Sequence, residues 1–150
     1  MKRIGIYIAL LAAAMLFPVK GMDVGKLKPV GLIQLYKEGE TVFLVTDTGD
    51  SGRGETVDSA FKNLEETTAG VIFLDTADYL LLSRTAVKEV GKIVEYLKPS
   101  IRVCLADKGI DPTQAAAYLA VHKPALKLKH YGKQENLQVL VETNDRLILK

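Results

Sequence analysis

Residues 30–46 read VGLIQLYKEGETVFLVT. Two runs of strand-forming residues, Val30 to Tyr36 and Thr41 to Thr46, flank the short polar link Lys37-Glu38-Gly39-Glu40. β-Branched and aromatic residues on both sides of such a link predict a β-hairpin. Asp47 to Glu55 follows as a loop with three glycines. A helix is then expected from Thr56, its N-cap, to about Glu66. Val57, Ala60, Phe61 and Leu64 stand at i, i+3, i+4 and i+7, a single apolar stripe.

Further along, Val71 to Leu74 and Tyr79 to Leu82 are short apolar strands on either side of Asp75-Thr76-Ala77-Asp78. A second helix is expected over Thr85 to Leu97, with Ala86, Val90, Ile93, Val94 and Leu97 inward, and Pro99 forbids its continuation. Ile101 to Leu105 is the next strand; alternation puts Ile101, Val103 and Leu105 on one face, Arg102 and Cys104 on the other. Asp111-Pro112 opens a third helix, cap followed by first-turn proline, that ends near Val121 to Pro124. Ala125 to Tyr131 reads as extended. Gln138 to Glu142 and Leu147 to Leu149 make a closing hairpin around Asn144-Asp145. The order ββ-α-ββ-α-β-α-ββ predicts one small α+β domain, a mixed or antiparallel sheet packed by about three helices.

The leading residues have a different character. Lys2 and Arg3 precede Ile4 to Phe17, an apolar run without a charge, and Pro18 ends it before Val19-Lys20-Gly21. That is the three-part pattern of a secretory signal, expected over residues 1–21. The run is shorter than the ~20 apolar residues that cross a bilayer comfortably, so cleavage is expected, an uncleaved anchor being the alternative. Residues 22–29 read as a polar linker and residues 30–150 as the domain. The expected location is therefore secreted, or the outer face of the cytoplasmic membrane.

The 20 basic and 18 acidic residues give the chain +2. Lys2, Arg3 and Lys20 fall in the signal and no acid does, so the remainder carries 17 basic against 18 acidic residues, or −1. Nothing in that balance calls for nucleic acid. Cys104 is the single cysteine, so the domain has no intramolecular disulfide and rests on packing. The signal has no cysteine for lipid attachment.

Several short patterns resemble chemistry. Gly49-Asp50-Ser51-Gly52 copies the nucleophile tetrad of trypsin-like proteases, but such a serine needs an imidazole. The two histidines, His122 and His130, both follow it. Gly49 to Thr56 fits G-x-x-x-x-G-x-T, yet Glu55 stands where a phosphate-binding loop has lysine, so no nucleotide is expected. Asp47, Asp50, Glu55 and Asp58 lack the spacing of a calcium loop, and Asp75 and Asp78 flank a turn. His122, His130 and Cys104 show no metal-ligand spacing. No catalytic residue, metal or cofactor is assigned. Lys123, Lys127, Lys129 and Lys133 form a basic stretch near His130, with Lys127 and Lys129 alternating with Leu126 and Leu128. Its ordinary role is a solvated edge; its sharper one is contact with an anionic partner.

The segment Gly54-Glu55-Thr56-Val57-Asp58-Ser59-Ala60, the helix to Leu64, Val71-Ile72-Phe73-Leu74, Tyr79-Leu80-Leu81-Leu82 and Ala86 form one succession. With Ile101-Arg102-Val103 and Ala115-Ala116-Ala117, it resembles the N-terminal domain of the spore-germination receptor C subunit, the Ger(x)C family. The resemblance runs from Val30 to Leu119. Members of that family are lipoproteins of several domains with a histidine between the paired strands; here that neighbourhood holds Asp75. What the resemblance implies is a stand-alone, membrane-proximal relative of one domain, without enzymatic activity and not itself a germinant receptor.

Three functions follow as expectations. The first is an exported, non-catalytic protein that contacts an envelope or membrane protein, in a spore-forming bacterium as the resemblance implies. The second is a small exported hydrolase using Ser51 or an acidic pair, Asp47/Asp50 or Asp75/Asp78. The third is a binder of anionic surfaces through Lys123, Lys127, Lys129 and Lys133.

Overall fold

The computed structural model describes residues 24–107, 109–132 and 137–150; the expected signal and Lys133 lie outside them. Among the described residues, nine strands and three α-helices follow one another: β1 (Leu27–Pro29), β2 (Leu32–Glu38), β3 (Thr41–Thr46), β4 (Ser51–Gly54), α1 (Val57–Thr67), β5 (Val71–Phe73), β6 (Tyr79–Leu82), α2 (Val90–Ile93), β7 (Arg102–Ala106), α3 (Pro112–Val121), β8 (Val139–Thr143) and β9 (Arg146–Leu149). Seven of the strands form a mixed sheet in the order β4-β3-β2-β6-β7-β8-β9, and β1 pairs with β5 in a separate parallel ribbon. The chain is an α+β domain. Among the described residues no helix is long and apolar enough to cross a membrane.

The opening hairpin forms as its residues predict. Glu38 and Thr41 close a two-residue link in which Gly39 has φ +57°. A first link residue at positive φ matches the twist of the strands, and glycine reaches it without strain. The closing hairpin does the same at Asn144 and Asp145, with φ +50° and +58°. Between these antiparallel ends, β2, β6, β7 and β8 run parallel. A parallel centre is covered on both faces, and β6 shows it: Tyr79, Leu80, Leu81 and Leu82 are all buried.

One face carries α1 and α2. Val57, Ala60, Phe61 and Leu64 of α1, the stripe read from the sequence, pack with Ile33, Leu35, Leu44, Leu80 and Leu82. The opposite face carries α3, whose Ala115 and Leu119 join Leu32, Leu81, Cys104 and Leu140. The strand alternation expected at 101–105 holds, with Ile101 and Val103 in the first cluster and Cys104 in the second.

Four expectations need correction. The loop at 47–55 contains β4, paired antiparallel with β3; three glycines hid a strand because its residues make no alternating apolar pattern. The linker at 22–29 contains β1, whose Leu27, Lys28 and Pro29 pair with Val71, Ile72 and Phe73. Consequently β5 does not pair with β6; a one-turn 3-10 segment, Leu74–Thr76, separates them. The helix expected over 85–97 is a 3-10 stretch, Arg84–Glu89, followed by the single α-turn of α2. With three residues per turn in its first half, Ala86, Val90, Ile93 and Leu97 stay buried but Val94 turns outward, 47% exposed. The extended reading of 125–131 holds only as an isolated bridge between Lys127 and Arg102; Leu128–His130 is a 3-10 turn.

Candidate functional site

The tetrad Gly49-Asp50-Ser51-Gly52 falls at β4, the sheet edge, where α1 lies closest. Thr56 caps α1 as expected: its hydroxyl accepts from the Ser59 N–H at 3.1 Å, and the Ser59 hydroxyl accepts from the Thr56 N–H at 3.0 Å. From that start α1 runs along β4 and satisfies its outward backbone. The Arg53 N–H donates to Asn63 Oδ1 at 3.0 Å, and the Thr67 hydroxyl donates to the Ser51 carbonyl at 3.2 Å. Gly52 and Gly54 permit the approach. A Cβ on Gly52 would strike the Ala60 carbonyl and Leu64; one on Gly54 would strike Ser59. These glycines serve helix–strand packing, which accounts for the phosphate-loop likeness without a phosphate.

On the face shared with α3, Tyr36, Phe43 and Arg53 stand in register across β2, β3 and β4. The rings of Tyr36 and Phe43 stack with centroids 5.0 Å apart and an 8° interplanar angle. Val45 and Ser51 form the adjacent pair. Together with Asn63 and Thr67 they border an open hollow of about 690 Å³. Arg53 is exposed, and no described side chain pairs with its guanidinium. The hollow thus offers an aromatic platform, a free cation and hydroxyl and amide donors. Tyr36, Phe43 and Asn63 were not singled out by sequence; the signal available was the strand alternation that puts Tyr36 and Phe43 off the α1 face, and it becomes useful only once β4 is known.

Each candidate catalytic group has a structural partner or lacks a chemical one. Ser51 lines the hollow, but no histidine does. His122 stacks on Tyr118 at 4.4 Å near the end of α3, and His130 sits in the turn beside Lys129. The Asp47 carboxylate accepts the Gly31 N–H at 3.1 and 3.2 Å. Asp50 pairs with Lys28 at 3.1 Å and accepts the Thr48 hydroxyl at 2.8 Å. Burial pushes the Asp50 carboxyl up, but the Thr48 hydrogen bond and the Lys28 ammonium outweigh it and hold it below the ordinary value. Asp58 accepts the Tyr96 hydroxyl at 2.7 Å, which raises that phenol to about 12. Asp78 pairs with Lys98 at 2.9 Å, while Asp75 is exposed on the 3-10 segment. Among the described residues no three His, Cys, Asp or Glu side chains gather as a metal site.

Lys127, Lys129 and His130 border a second hollow of about 240 Å³; Lys123 is exposed outside it. Leu126 and Leu128 are buried, but with Leu128–His130 in a 3-10 turn the lysines do not share a strand face. No family model, no curated protein and no solved structure matches this chain.

Proposed function

We propose that the chain is an exported, non-catalytic domain that acts at the outer face of the cytoplasmic membrane by binding an envelope protein. The observation that carries this reading is the open hollow at β4, where the stacked Tyr36–Phe43 pair lies beside the exposed Arg53. Aromatic residues and arginine are the usual anchors of protein interfaces. Of the groups a hydrolase would use, Asp47, Asp50 and Asp78 are held in hydrogen bonds or ion pairs, Asp75 is exposed on its 3-10 segment, and Ser51 lines a hollow that no histidine borders. Kinship with the Ger(x)C N-terminal domain belongs to the same proposal; its support is the capped helix that starts after Gly54 and the strands that follow it.

Affinity recovery from a native envelope fraction tests the reading. The wild-type chain is expected to retain a protein partner, and Arg53→Glu to lose it about ten-fold or more, as removal of an interface anchor does. Recovery of nothing, or equal recovery by Arg53→Glu, removes it. Fractionation tests the export half separately: full-length, uncut chain free in the cytosol overturns it. A second reading, anionic-surface binding, has the gathering of Lys127 and Lys129 in its favour. It predicts binding that weakens steeply with salt.

A further inference from the structure

The four parallel strands bring their carboxyl ends to one rim of the sheet. The connection leaving β6 folds onto the face of α1, where Ala86, Val90 and Ile93 pack with Leu80 and Leu82. The connection leaving β7 goes to the opposite face, where Ala115 and Leu119 pack with Leu81 and Cys104. Neighbouring parallel strands whose exits diverge in this way leave a crevice beyond their carboxyl ends, the place where open sheets take small ligands. A hollow of about 190 Å³ lies there. Tyr36 and Lys37 line it from β2, Ser83, Arg84 and Thr85 from the exit of β6, and Asp107 from the exit of β7. It is separate from the surface used in the proposed protein contact, except for Tyr36, which borders both.

Most of the lining is already committed. Lys37 pairs with Glu89 at 3.3 Å. The Thr85 hydroxyl accepts the Lys37 N–H at 3.2 Å, donates to the Lys37 carbonyl at 2.9 Å, and lies 2.7 Å from the Ser83 hydroxyl. These bonds fasten the exit of β6 to the end of β2. Arg84 and Asp107 differ. Both are exposed, and neither side chain has a hydrogen bond or ion pair with any described residue. A guanidinium and a carboxylate thus line one small hollow while standing farther apart than an ion pair.

We propose that this crevice binds a small zwitterion, with the ligand's carboxylate on the Arg84 guanidinium and its ammonium on the Asp107 carboxylate. A free amino acid is the simplest such molecule. Arginine meets a carboxylate through two parallel N–H donors. Asp107 selects against a doubly negative ligand such as phosphate, because like charges are driven apart. The volume, room for about six waters at ~30 Å³ each, suits a molecule of amino-acid size.

The test is calorimetric titration of the full chain in detergent with each neutral L-amino acid. The best binder is then compared with its two half-ligands; for leucine these are 4-methylpentanoate and 3-methylbutylamine. Saturable binding by an amino acid is expected, with each half-ligand about ten-fold or more weaker. Arg84→Gln and Asp107→Asn, both at exposed positions, are each expected to weaken binding by a similar factor and to leave the far-ultraviolet dichroism melt unchanged. Absence of saturable binding across the panel overturns the proposal. So does undiminished binding by either variant, and so does equal affinity for the carboxylate half alone, which would mark a simple anion site.

Discussion

Asp50 and Cys104 show how the environment sets a side chain's behaviour. Asp50 is only 13% exposed on its side chain, and its folded-state value lies below 3.8, the value it would have unfolded. A depressed carboxyl contributes stability above its unfolded value and loses that contribution as pH falls through the folded one. Asp50→Asn is therefore expected to lower stability by about 1 kcal/mol near neutrality, modest because solvent screens the half-exposed Lys28. Wild type and variant should converge in acid; urea melts at neutral pH and near pH ~3 would show it, and a constant difference would contradict the pairing. Cys104 is fully buried, and burial pushes its thiol to about 12. It is expected to stay silent toward a disulfide reagent in the native protein and to react fully in denaturant, since the thiolate is the nucleophile.

The pairing of α1 with β4 depends on a cap and on two glycines. Thr56→Ala removes one half of the reciprocal bonding with Ser59 and is expected to destabilise the fold by about 1 kcal/mol. Gly52→Ala forces a methyl group against the Ala60 carbonyl and Leu64. It should be the worse of the two, about 1–3 kcal/mol as overpacking commonly is. Thermal or urea melts of the two variants decide the order. If Gly52→Ala is neutral, α1 does not press on β4 as described. The glycine-rich run is thus structural punctuation with a packing purpose, and its likeness to two catalytic motifs is a by-product.

For the molecule as a whole, the decisive feature is a sheet covered on both faces. Leu81 and Leu82 are neighbours in β6 and point to opposite clusters. A sheet with one wet face would make only one of them costly to truncate. Here Leu81→Ala and Leu82→Ala are each expected to lose about 2–5 kcal/mol, with a single cooperative transition in both; a marginal loss at either position would mean that its face is open. The same double covering gives out at the end of β2 and over β3 and β4, where Tyr36, Phe43 and Arg53 border the open hollow. It also creates the divergence of chain exits that opens the crevice between Arg84 and Asp107.

Local chemistry was legible in the amino acids alone. The hairpins at Gly39 and Asn144-Asp145, the Thr56 and Asp111 caps, the α1 stripe and the alternation through Val103 and Cys104 all depend on neighbours a few residues apart. Pairings over long distances were not. Nothing within Leu27–Pro29 says that it will meet Val71–Phe73, and nothing within Ser51–Gly54 says that it will pair with Val42–Val45. Strand direction, too, is a property of the partner: the run Tyr79–Leu82 reads the same whether β2 lies beside it parallel or antiparallel. The hollow at β4 and the crevice beside Arg84 belong to this second class, because each exists only after separate strands have been set side by side.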